Sequence, residues 1–590
     1  MELLPKILRK YFFHLNISIL SSFFLFIFLS IYITYPLIFH MSDYISGLGD
    51  QLYINWILNW NMYSFTHNLG NILNTNIFFP YKTTLAYSDI YITMSLISFI
   101  PTIIIGQPAV AYNFGVIISY FSLGFFTYLL CLHITKNHFA SIIGGVLMAF
   151  STYTLMEIGH LQLISMGFVP LSILFFLKFL DKKSYRYYIF SCIFFIFQIY
   201  NSFLPAYFIL FSCLIIFSIY LLKKKINLKD INIKKILLIS LFTILVSLPV
   251  IIPYYKVSHE FSYTRDIRDS IRFANRLEYT FFPGDRTVLY KVILNTFYKN
   301  DKGPLQYDGY IGLPFFVLFF FIFVYRVIFR KEVGLLFDIF LIIALVGFVL
   351  SLGPALQWGG HVIKHPFIIP LPYAIFYYLI PGFNGLRDSS RWEMLFLFAS
   401  SVCISIFLAS YFTNKSKLIK YLLTFLIVIA VLLEFNNPFI NYKIPIKDQF
   451  PKIYSYIKTL PNNSVFAQFP IYNWDTFPGP YPENIREYYY TLSFPKTING
   501  TAGFDPPSWQ ENIRFLIKNF PNNNSLSLLK KLGVNYIIVN KDEYDQISGE
   551  KDIIDNKIFQ NGKQIIGNLS INKNIKLTKI VDSSYVYKIN

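Results

Sequence analysis

Three side chains in the first third of the sequence are of types that can transfer a proton. Asp50 follows the glycine of SGLGDQLY, Asp89 ends AYSD, and His160 lies in MEIGHLQ. A carboxylate or an imidazole within hydrogen-bond reach of a hydroxyl group can take its proton as the oxygen attacks. Each residue also has a structural alternative, because the two aspartates could cap the helices that follow them and His160 could be a hydrogen-bonded histidine between helices. We therefore treat these three residues as the candidate catalytic groups.

Arginines form a second group, suited to binding an anion. In YTRDIRDSIRFANRLEY they recur at three- and four-residue spacing: Arg265, Arg268, Arg272 and Arg276. On a helix they would form one cationic face, and the planar guanidinium group binds phosphate well. Asp266 and Asp269 are interleaved with them, so a solvated helix that pairs its own charges is the alternative. The spacing predicts either a phosphate site or such a self-paired helix.

Two further arginines lie at the edge of an apolar stretch. Arg387 and Arg391 are four residues apart in PGFNGLRDSSRW, directly before a candidate membrane span. Guanidinium groups at that depth can hold a lipid phosphate, or they can extend to the headgroups without any specific ligand. Glu157, in the same stretch as His160, completes the candidate substrate-binding residues.

The composition indicates that these residues belong to a polytopic membrane protein. The chain has 590 residues, 55% of them hydrophobic and 14% charged, with a mean hydropathy of +0.48. Crossing a bilayer takes about twenty apolar residues. Eleven stretches approach or exceed that length: 15–39, 110–132, 139–156, 161–180, 187–201, 203–222, 237–255, 311–329, 335–352, 393–412 and 419–435. We predict a mainly α-helical membrane protein with about eleven transmembrane helices.

The distribution of positive charge predicts the orientation. The segment 91–105 is apolar but short and contains Pro101, so it could cross the membrane or enter without crossing. If it does not cross, the cytoplasmic loops hold 19 Lys and Arg residues against 13 outside, whereas crossing would give 15 inside and 17 outside. Because Lys and Arg tend to stay on the cytoplasmic side, the first model is favoured. It places the N-terminus inside, and the outer loops 40–90, 256–310 and 353–392 on the same side as the tail.

The tail has a different pattern from the rest of the chain. Residues 436–590 contain alternating strand-like runs, SVFAQFPIY and NYIIVN, and turn clusters such as PNNNS and FPGPYPEN. Runs of this kind separated by turns are typical of a small folded domain. We predict a membrane domain over 1–435 and an extracytoplasmic α+β domain over 436–590.

The run that follows Asp50 has its own pattern. In DQLYINWILNWNMYSF, four large side chains recur at helical spacing: Leu52, Trp56, Trp60 and Tyr63. A helix with such an aromatic stripe can lie in the membrane interface with its rings at headgroup depth. We expect this helix to hold Asp50 near the lipid headgroups.

Composition and motifs also exclude several function classes. The net charge of +19 comes largely from loop residues of a membrane protein, so it does not indicate nucleic-acid binding. The four cysteines lie in apolar segments, and no HExxH, GxSxG, Walker or CxxC pattern occurs with the candidate residues. Protease, lipase and NTPase chemistry therefore have no support.

A series of motifs resembles the large bacterial and archaeal multispanning proteins of the GT-C glycosyltransferase superfamily. It is similar to the branch that carries a C-terminal extracytoplasmic domain. The series covers most of the chain: GDQLYINWILNW, HNLGNILNTNIFFPYKTTLAYSD, AYNF, IIGGVLMAFSTYTLMEIGHLQLISMGFVPL, PGFNGLRDSSRWEML, NGTAGFDPPSW and LLKKLGVNYIIVN. The resemblance implies a polyprenyl-phosphate sugar donor in the plasma membrane and a glycan, lipid or protein acceptor outside. It assigns Asp50 to the acid after the first span and Asp89 to the second acid, and it leaves a divalent metal ion open.

This resemblance implies a mechanism that the candidate residues can carry. A carboxylate base would activate the acceptor hydroxyl, arginines would stabilise the phosphate that leaves, and single displacement would invert the anomeric centre. Two other functions remain open: a transporter or flippase of lipid-linked saccharides, and a non-catalytic protein of envelope assembly. Transporters more often carry charged residues within their spans and repeated halves. The spans of this sequence are nearly free of charge away from their ends, with Lys178 and Asp338 both close to the cytoplasmic side.

Overall fold

The chain folds into two compact units, each built from three separate segments. The computed structural model describes residues 17–281, 287, 309–328, 332–358, 361–364, 367–435, 441–474, 476–551 and 558–590. The helical unit contains Met1–Ile38, Val116–Leu248 and Thr264–Ile440, and the sheet unit contains Phe39–Gly115, Pro249–Tyr263 and Asn441–Asn590. The predicted boundary near 436 thus matches the start of the last segment, but the sheet unit also takes in the first predicted outer loop.

All eleven predicted spans fall on apolar helices. These are Ile17–Ile33, Ala109–Thr135, His138–Phe150, Phe168–Lys182, Tyr185–Ile199, Phe203–Leu222, Ile233–Glu260, Leu313–Phe323, Leu335–Ser351, Glu393–Phe412 and Lys417–Glu434. Within the described residues, six helical stretches are long and apolar enough to cross a membrane: Ala109–Thr135, His138–Gly159, Leu161–Lys182, Phe203–Leu222, Ile233–Glu260 and Ser390–Phe412. The protein is therefore mainly helical and of the membrane class, while the number of crossings stays a prediction.

The helix that precedes the MEIGH stretch is interrupted. The His138–Phe150 helix ends at Ser151, whose backbone is extended, and is followed by a short helix Thr152–Met156 and a 3-10 turn Glu157–Gly159. Another short helix, Leu161–Ile164, precedes the Phe168–Lys182 helix. These breaks place Glu157 and His160 on a turn between helices, as the sequence predicts.

Nine short strands occur among the described residues. They are β1 Tyr44–Ile45, β2 Gln357–Trp358, β3 His361–Val362, β4 Tyr442–Lys443, β5 Val465–Phe469, β6 Lys496–Thr497, β7 Tyr536–Asn540, β8 Ile575–Val581 and β9 Ser584–Ile589. Strands β5 to β9 form one sheet in the order β6-β5-β7-β9-β8. Strand β5 is parallel to β6 and β7, whereas β9 is antiparallel to β7 and β8. Every residue of β5 is buried, as expected for a strand covered on both faces.

Helices surround this sheet and complete the α+β arrangement predicted for the tail. They are Lys452–Ile457, Tyr481–Tyr490, Pro507–Asn519, Asn523–Lys531, Lys541–Ile547 and Gly562–Ser570. The predicted strand runs SVFAQFPIY and NYIIVN correspond to β5 and β7.

The first predicted outer loop is bonded into this sheet. The backbone N–H groups of Phe78 and Phe79 donate to the carbonyls of Asn499 and Thr497, at 3.0 and 2.9 Å, and Thr497 N–H donates to Asn76 O at 2.8 Å. Strand β1 of the same loop also pairs antiparallel with β4. These bonds fix the loop as part of the sheet unit, because ladder hydrogen bonds determine a backbone's register.

The lipid contact predicted for the tryptophans of the aromatic helix is wrong. Its tryptophans are almost fully buried in the sheet unit, with Trp56 1% and Trp60 5% exposed. The indole N–H of Trp56 donates to Asn76 Oδ1 at 3.2 Å, and that of Trp60 donates to Ile72 O at 2.8 Å. An aromatic stripe at helical spacing can face protein as well as lipid, and here it faces the protein core.

The segment 91–105 forms one short helix, Ile92–Ile105, with Pro101 inside it. Its 14 residues span about 21 Å at 1.5 Å per residue, less than the roughly 30 Å of a hydrocarbon core. Its serine and threonine side chains are buried, whereas Ile100, Ile103 and Ile104 are exposed. This length supports a helix that does not cross, and that topology stays a prediction.

Candidate active site

In the sheet unit, Asp50 is an exposed carboxylate at the start of a buried helix. It is the first residue of the Asp50–His67 helix, and Gly49 occupies the N-cap position. The proposal that Asp50 itself caps the helix is therefore wrong. The N-terminus of a helix carries a partial positive charge that stabilises a carboxylate there. Asp50 is thus an exposed carboxylate on a helix whose other residues are largely buried.

Asp89 lies near a cluster of hydroxyl groups in the same unit. Tyr91, two residues after Asp89, occupies the N-cap position of the Ile92–Ile105 helix. The Tyr254 hydroxyl donates to Ser88 O at 2.5 Å and interacts electrostatically with Asp89. Asp89 is half-buried beside this bond. Its role as a second acid stays a prediction.

Tyr53 joins these residues to the tail. Burial raises the pKa of Tyr53 well above its usual value, and the carboxylate of Glu487 adds to the rise. Its hydroxyl also bonds the Ser88 side chain, while Asp505 and Asp50 contribute smaller electrostatic effects. One tyrosine hydroxyl is therefore close to groups from the first loop and from the tail. The sequence did not point to Glu487 or Asp505, since no spacing connects them to Asp50.

In the helical unit, His160 and Glu157 form a carboxylate–imidazole pair. His160 Nδ1 lies 2.6 Å from Glu157 Oε2. Glu157 is buried and His160 is half-buried. A carboxylate bonded to one ring nitrogen fixes the orientation of the imidazole and stabilises its charged form. Glu157 is therefore placed to orient His160, and its predicted contact with substrate stays a prediction.

Arg391 belongs to the same cluster of charges. Its Nε lies 3.5 Å from Asp388 Oδ2, and its guanidinium group interacts electrostatically with Glu157. The Tyr153 hydroxyl, which also bonds Glu157, donates to Ser390 O at 3.2 Å. Arg391 is therefore held by carboxylates of the protein, and binding of a lipid phosphate by Arg391 stays a prediction.

Arg272 and Arg387 converge on one aromatic ring in the helical unit. The guanidinium carbon of Arg387 lies 4.9 Å from the centroid of the Phe273 ring, and that of Arg272 lies 5.6 Å from it. Both arginines are exposed. Both guanidinium groups lie within cation–π distance of this ring. This pair is the strongest candidate for an anion site among the predicted arginines.

The single cationic helix face predicted for the long loop is wrong. The helix covers only Ile267–Arg272, so Arg265 precedes it and Arg276 follows it. Asp266 is its N-cap and holds Arg268, with Nε to Oδ2 at 2.8 Å. The self-paired alternative thus applies to Arg268. Arg265 contributes backbone bonds instead, because its N–H donates to Asn384 O at 3.0 Å and its carbonyl accepts from the Tyr377 hydroxyl.

The candidate ligands for a metal ion are the histidine, cysteine, aspartate and glutamate side chains. Among the described residues, no group of three or more of these side chains could hold one. The divalent ion left open by the resemblance stays an open question.

Comparison with known proteins identifies a family. Residues 23–434 match the family model described as "Domain of unknown function (DUF6311)". No curated protein matches the sequence.

Among solved structures, the matches are distant. The arabinofuranosyltransferase AftD from Mycobacteria is 10% identical with a TM-score of 0.48, covering 93% of this chain and 40% of its own. The oligosaccharyltransferase AglB from Archaeoglobus fulgidus, solved with an inhibitory peptide and a dolichol-phosphate, is 13% identical with a TM-score of 0.40, covering 91% and 70%. A second structure of that oligosaccharyltransferase, tethered to an acceptor peptide, is 11% identical with a TM-score of 0.45 and the same coverages of 91% and 70%. These proteins are membrane glycosyltransferases of the GT-C class that the sequence resembles. With TM-scores below 0.5, the matches assign no activity to this chain.

Proposed function

We propose that this chain, which belongs to the family described as "Domain of unknown function (DUF6311)", is a membrane glycosyltransferase. It would take a sugar from a polyprenyl-phosphate donor in the plasma membrane and transfer it to an extracytoplasmic acceptor. Six helices of membrane-spanning length and composition support the membrane location. The series of motifs that resembles GT-C proteins supports the reaction class.

The observation that carries this proposal is the convergence of Arg272 and Arg387 on the Phe273 ring. These arginines come from two predicted outer loops and lie 115 positions apart in the sequence. Phosphate oxygens accept several charge-assisted hydrogen bonds, and guanidinium groups are well suited to donate them. We infer that Arg272 and Arg387 form a cationic fork of this kind. A phosphate group is the part of the donor that such a fork would bind.

The transfer then needs only groups that the protein supplies. The acceptor oxygen forms a bond to the anomeric carbon while the bond from that carbon to the phosphate oxygen breaks. The electron pair of the broken bond leaves with the lipid phosphate, whose added charge Arg272 and Arg387 stabilise. The acceptor proton moves to a carboxylate, and a single displacement of this kind inverts the anomeric centre. The proton acceptor is a separate proposal, made from the sheet unit alone: we assign it to Asp50, because it is exposed and begins a helix there.

The Glu157–His160 pair is the alternative base. Its geometry suits proton transfer, because a carboxylate at 2.6 Å orients the imidazole and favours proton uptake by the ring. Asp50 and His160 belong to different units. Substituting each residue separately therefore decides between them.

Lipid and glycan analysis of a deletion strain tests the proposal. Loss of a transferase should cause a polyprenyl-phosphate sugar to accumulate on the outer side of the membrane. Complementation of the deletion strain with the wild-type gene should prevent this accumulation. Complementation with the Arg272→Ala/Arg387→Ala double variant should not prevent the accumulation of the lipid-linked sugar, although the variant protein is present at the normal level. A flippase would instead leave the lipid-linked sugar on the cytoplasmic side. No change in lipid-linked sugars would exclude both transfer and flipping.

A further inference from the structure

Three aromatic rings are exposed within eight residues of the tail. Their exposed fractions are 62%, 44% and 55% for Trp474, Phe477 and Tyr481 respectively. Large apolar side chains are rarely exposed together without a binding role. Most of the tail's other large aromatic side chains are buried or half-buried around the sheet. The cluster is therefore a candidate binding surface of the sheet unit, and we call it the aromatic loop.

Hydrogen bonds hold the described backbone on either side of residue 475 in the aromatic loop. Thr476 Oγ1 accepts from Asn473 N–H at 2.9 Å, and the Thr476 hydroxyl donates to Asn473 O at 3.0 Å. Gly479 N–H donates to Thr476 O at 2.6 Å, with Gly479 at φ +92°, where a side chain would be strained. At the end of the loop, Tyr481 begins the Tyr481–Tyr490 helix. These contacts thus support the described residues that carry Phe477 and Tyr481.

One of these rings lies against the residue before the candidate base. A Cβ atom at Gly49 would lie only 3.0 Å from Tyr481 Cε1 and 3.4 Å from Cδ1. The absence of a side chain at Gly49 therefore lets the Tyr481 ring approach the backbone directly before Asp50. Because Asp50 and Tyr481 are both exposed, a molecule in contact with one can reach the other.

We propose that Tyr481, together with Trp474 and Phe477, stacks against a sugar of the acceptor and makes the acceptor a glycan. This inference rests on the proposed function, in which Asp50 takes the proton of the acceptor hydroxyl. A sugar ring has apolar C–H faces that pack on aromatic rings, and hydroxyl groups at its edge that donate to carboxylates. Aromatic walls with a few convergent polar groups are typical of small-molecule sites. Tyr481 would supply the wall and Asp50 the polar group.

The same observations disfavour a lipid as the occupant of this surface. An exposed carboxylate next to the rings would have to lose hydration if acyl chains covered them, at a high free-energy cost. A glycan avoids that cost, since its hydroxyl groups replace water as donors to the carboxylate. Tyr481 is therefore a specificity-determining residue of the acceptor side, and Asp50 is the group that acts on the acceptor.

Saturation-transfer NMR on the full-length protein in lipid nanodiscs tests this assignment. The probes are methyl hexopyranosides and methyl pentofuranosides, added one at a time at millimolar concentration. We expect saturation transfer from the protein to the ring C–H protons of at least one probe. Tyr481→Ala should weaken that binding by about three- to tenfold, the size expected when one aromatic contact is lost. Tyr481→Phe should retain it, since the ring remains.

A matched control lies at the other edge of the same sheet. Leu577, on β8, is 44% exposed, as Phe477 is, so Leu577→Ala removes a similarly exposed apolar side chain. It should leave binding of the glycosides unchanged. If Tyr481→Ala bound them as the wild type does, or if no glycoside bound the wild type, the inference would be overturned.

Two further outcomes separate this inference from its alternatives. Brominated phospholipids quench the fluorescence of tryptophans that contact acyl chains. If they quench the wild-type protein and the quenching disappears in Trp474→Phe, the aromatic loop faces acyl chains, which would also overturn the inference. If glycosides do not bind but the deletion strain accumulates a polyprenyl-phosphate sugar, the acceptor assignment fails and the proposed transfer stands. If binding depends on Tyr481 but no lipid-linked sugar accumulates, the glycan site stands and the proposed transfer fails.

Discussion

Replacing Asp50 by asparagine should separate catalysis from stability. Asp50 is exposed and is the first residue of its helix, so the substitution removes one charge without creating a cavity. The lost attraction between the carboxylate and the helix N-terminus is worth about 0.3–1 kcal/mol. The helix itself remains anchored by buried residues such as Trp56 and Leu52. We therefore expect normal insertion and accumulation in the membrane.

The effect on transfer should be much larger. Loss of a general base typically slows a reaction by about a hundredfold or more, which corresponds to roughly 2.7 kcal/mol on the activation barrier. That exceeds the expected loss of stability several-fold. The assay is the rate at which purified variants, reconstituted in liposomes, consume the polyprenyl-phosphate sugar that accumulates in the deletion strain.

Asp542 provides the matched control for this experiment. It is also an exposed aspartate in the first turn of a helix in the sheet unit, at the start of Lys541–Ile547. Asp542→Asn should keep the wild-type rate, because its carboxylate has the same type of helix contact but no assigned role in transfer. Transfer by Asp50→Asn at the wild-type rate would refute the assignment of Asp50 as the base. His160→Gln, which removes the alternative base, would then be the variant expected to lose activity.

Three other predictions test the remaining parts of the argument. Arg272→Lys and Arg387→Lys keep the charge but lose the planar fork, so each should weaken donor binding by about 1–3 kcal/mol in a titration with the lipid-linked sugar, and unchanged affinity would remove the arginine site. Burial holds the pKa of Glu487 well above its usual range, so the folded state binds the Glu487 proton more tightly than the unfolded state does. The stabilisation that this proton gives the folded state is complete below the unfolded pKa, near 4.3. It is lost as pH rises from there towards the folded pKa. Thermal unfolding should therefore show stability falling with pH by up to about 1.4 kcal/mol per unit in that range, and Glu487→Gln should flatten this dependence. In a background without the four native cysteines, cysteine at Ser493 should be labelled from outside and cysteine at Asn227 from inside, and the reverse pattern would overturn the topology.

Hydropathy predicted the helices well because the length of an apolar segment is a property of the sequence alone and needs no knowledge of tertiary contacts. Every predicted span contains an apolar helix, and the strand runs of the tail became β5 and β7. Hydropathy could not predict what the apolar faces contact. The spacing of Trp56 and Trp60 fits lipid and protein equally, and the structure buries both rings in the sheet unit.

The local errors have a different origin, since they depend on tertiary hydrogen bonds. The arginine-rich stretch was expected to continue as one helix, but it leaves the helical conformation after Arg272. There the N–H of Asn275 donates to Ser351 O at 2.9 Å, and Phe273 O accepts from the N–H of Ser390 at 3.2 Å. These long-range bonds replace those that a longer helix would have made. They also bring Phe273 beside Arg387, a contact that spacing along the chain could not reveal.

The structure changes the domain assignment of the tail more than it changes the assignment of the helices. The sequence treats 436–590 as a separate domain, yet the sheet unit takes its β6 neighbour from residues 76–79 of the first loop. Asp50 begins a helix of that loop, and Tyr481 begins a helix of the tail whose ring lies against Gly49. The position of the candidate base therefore depends on the folded tail. A catalytic loop that is built into an α+β domain can be fixed relative to a bound acceptor, because Asp50 and the Tyr481 ring beside Gly49 belong to one compact unit.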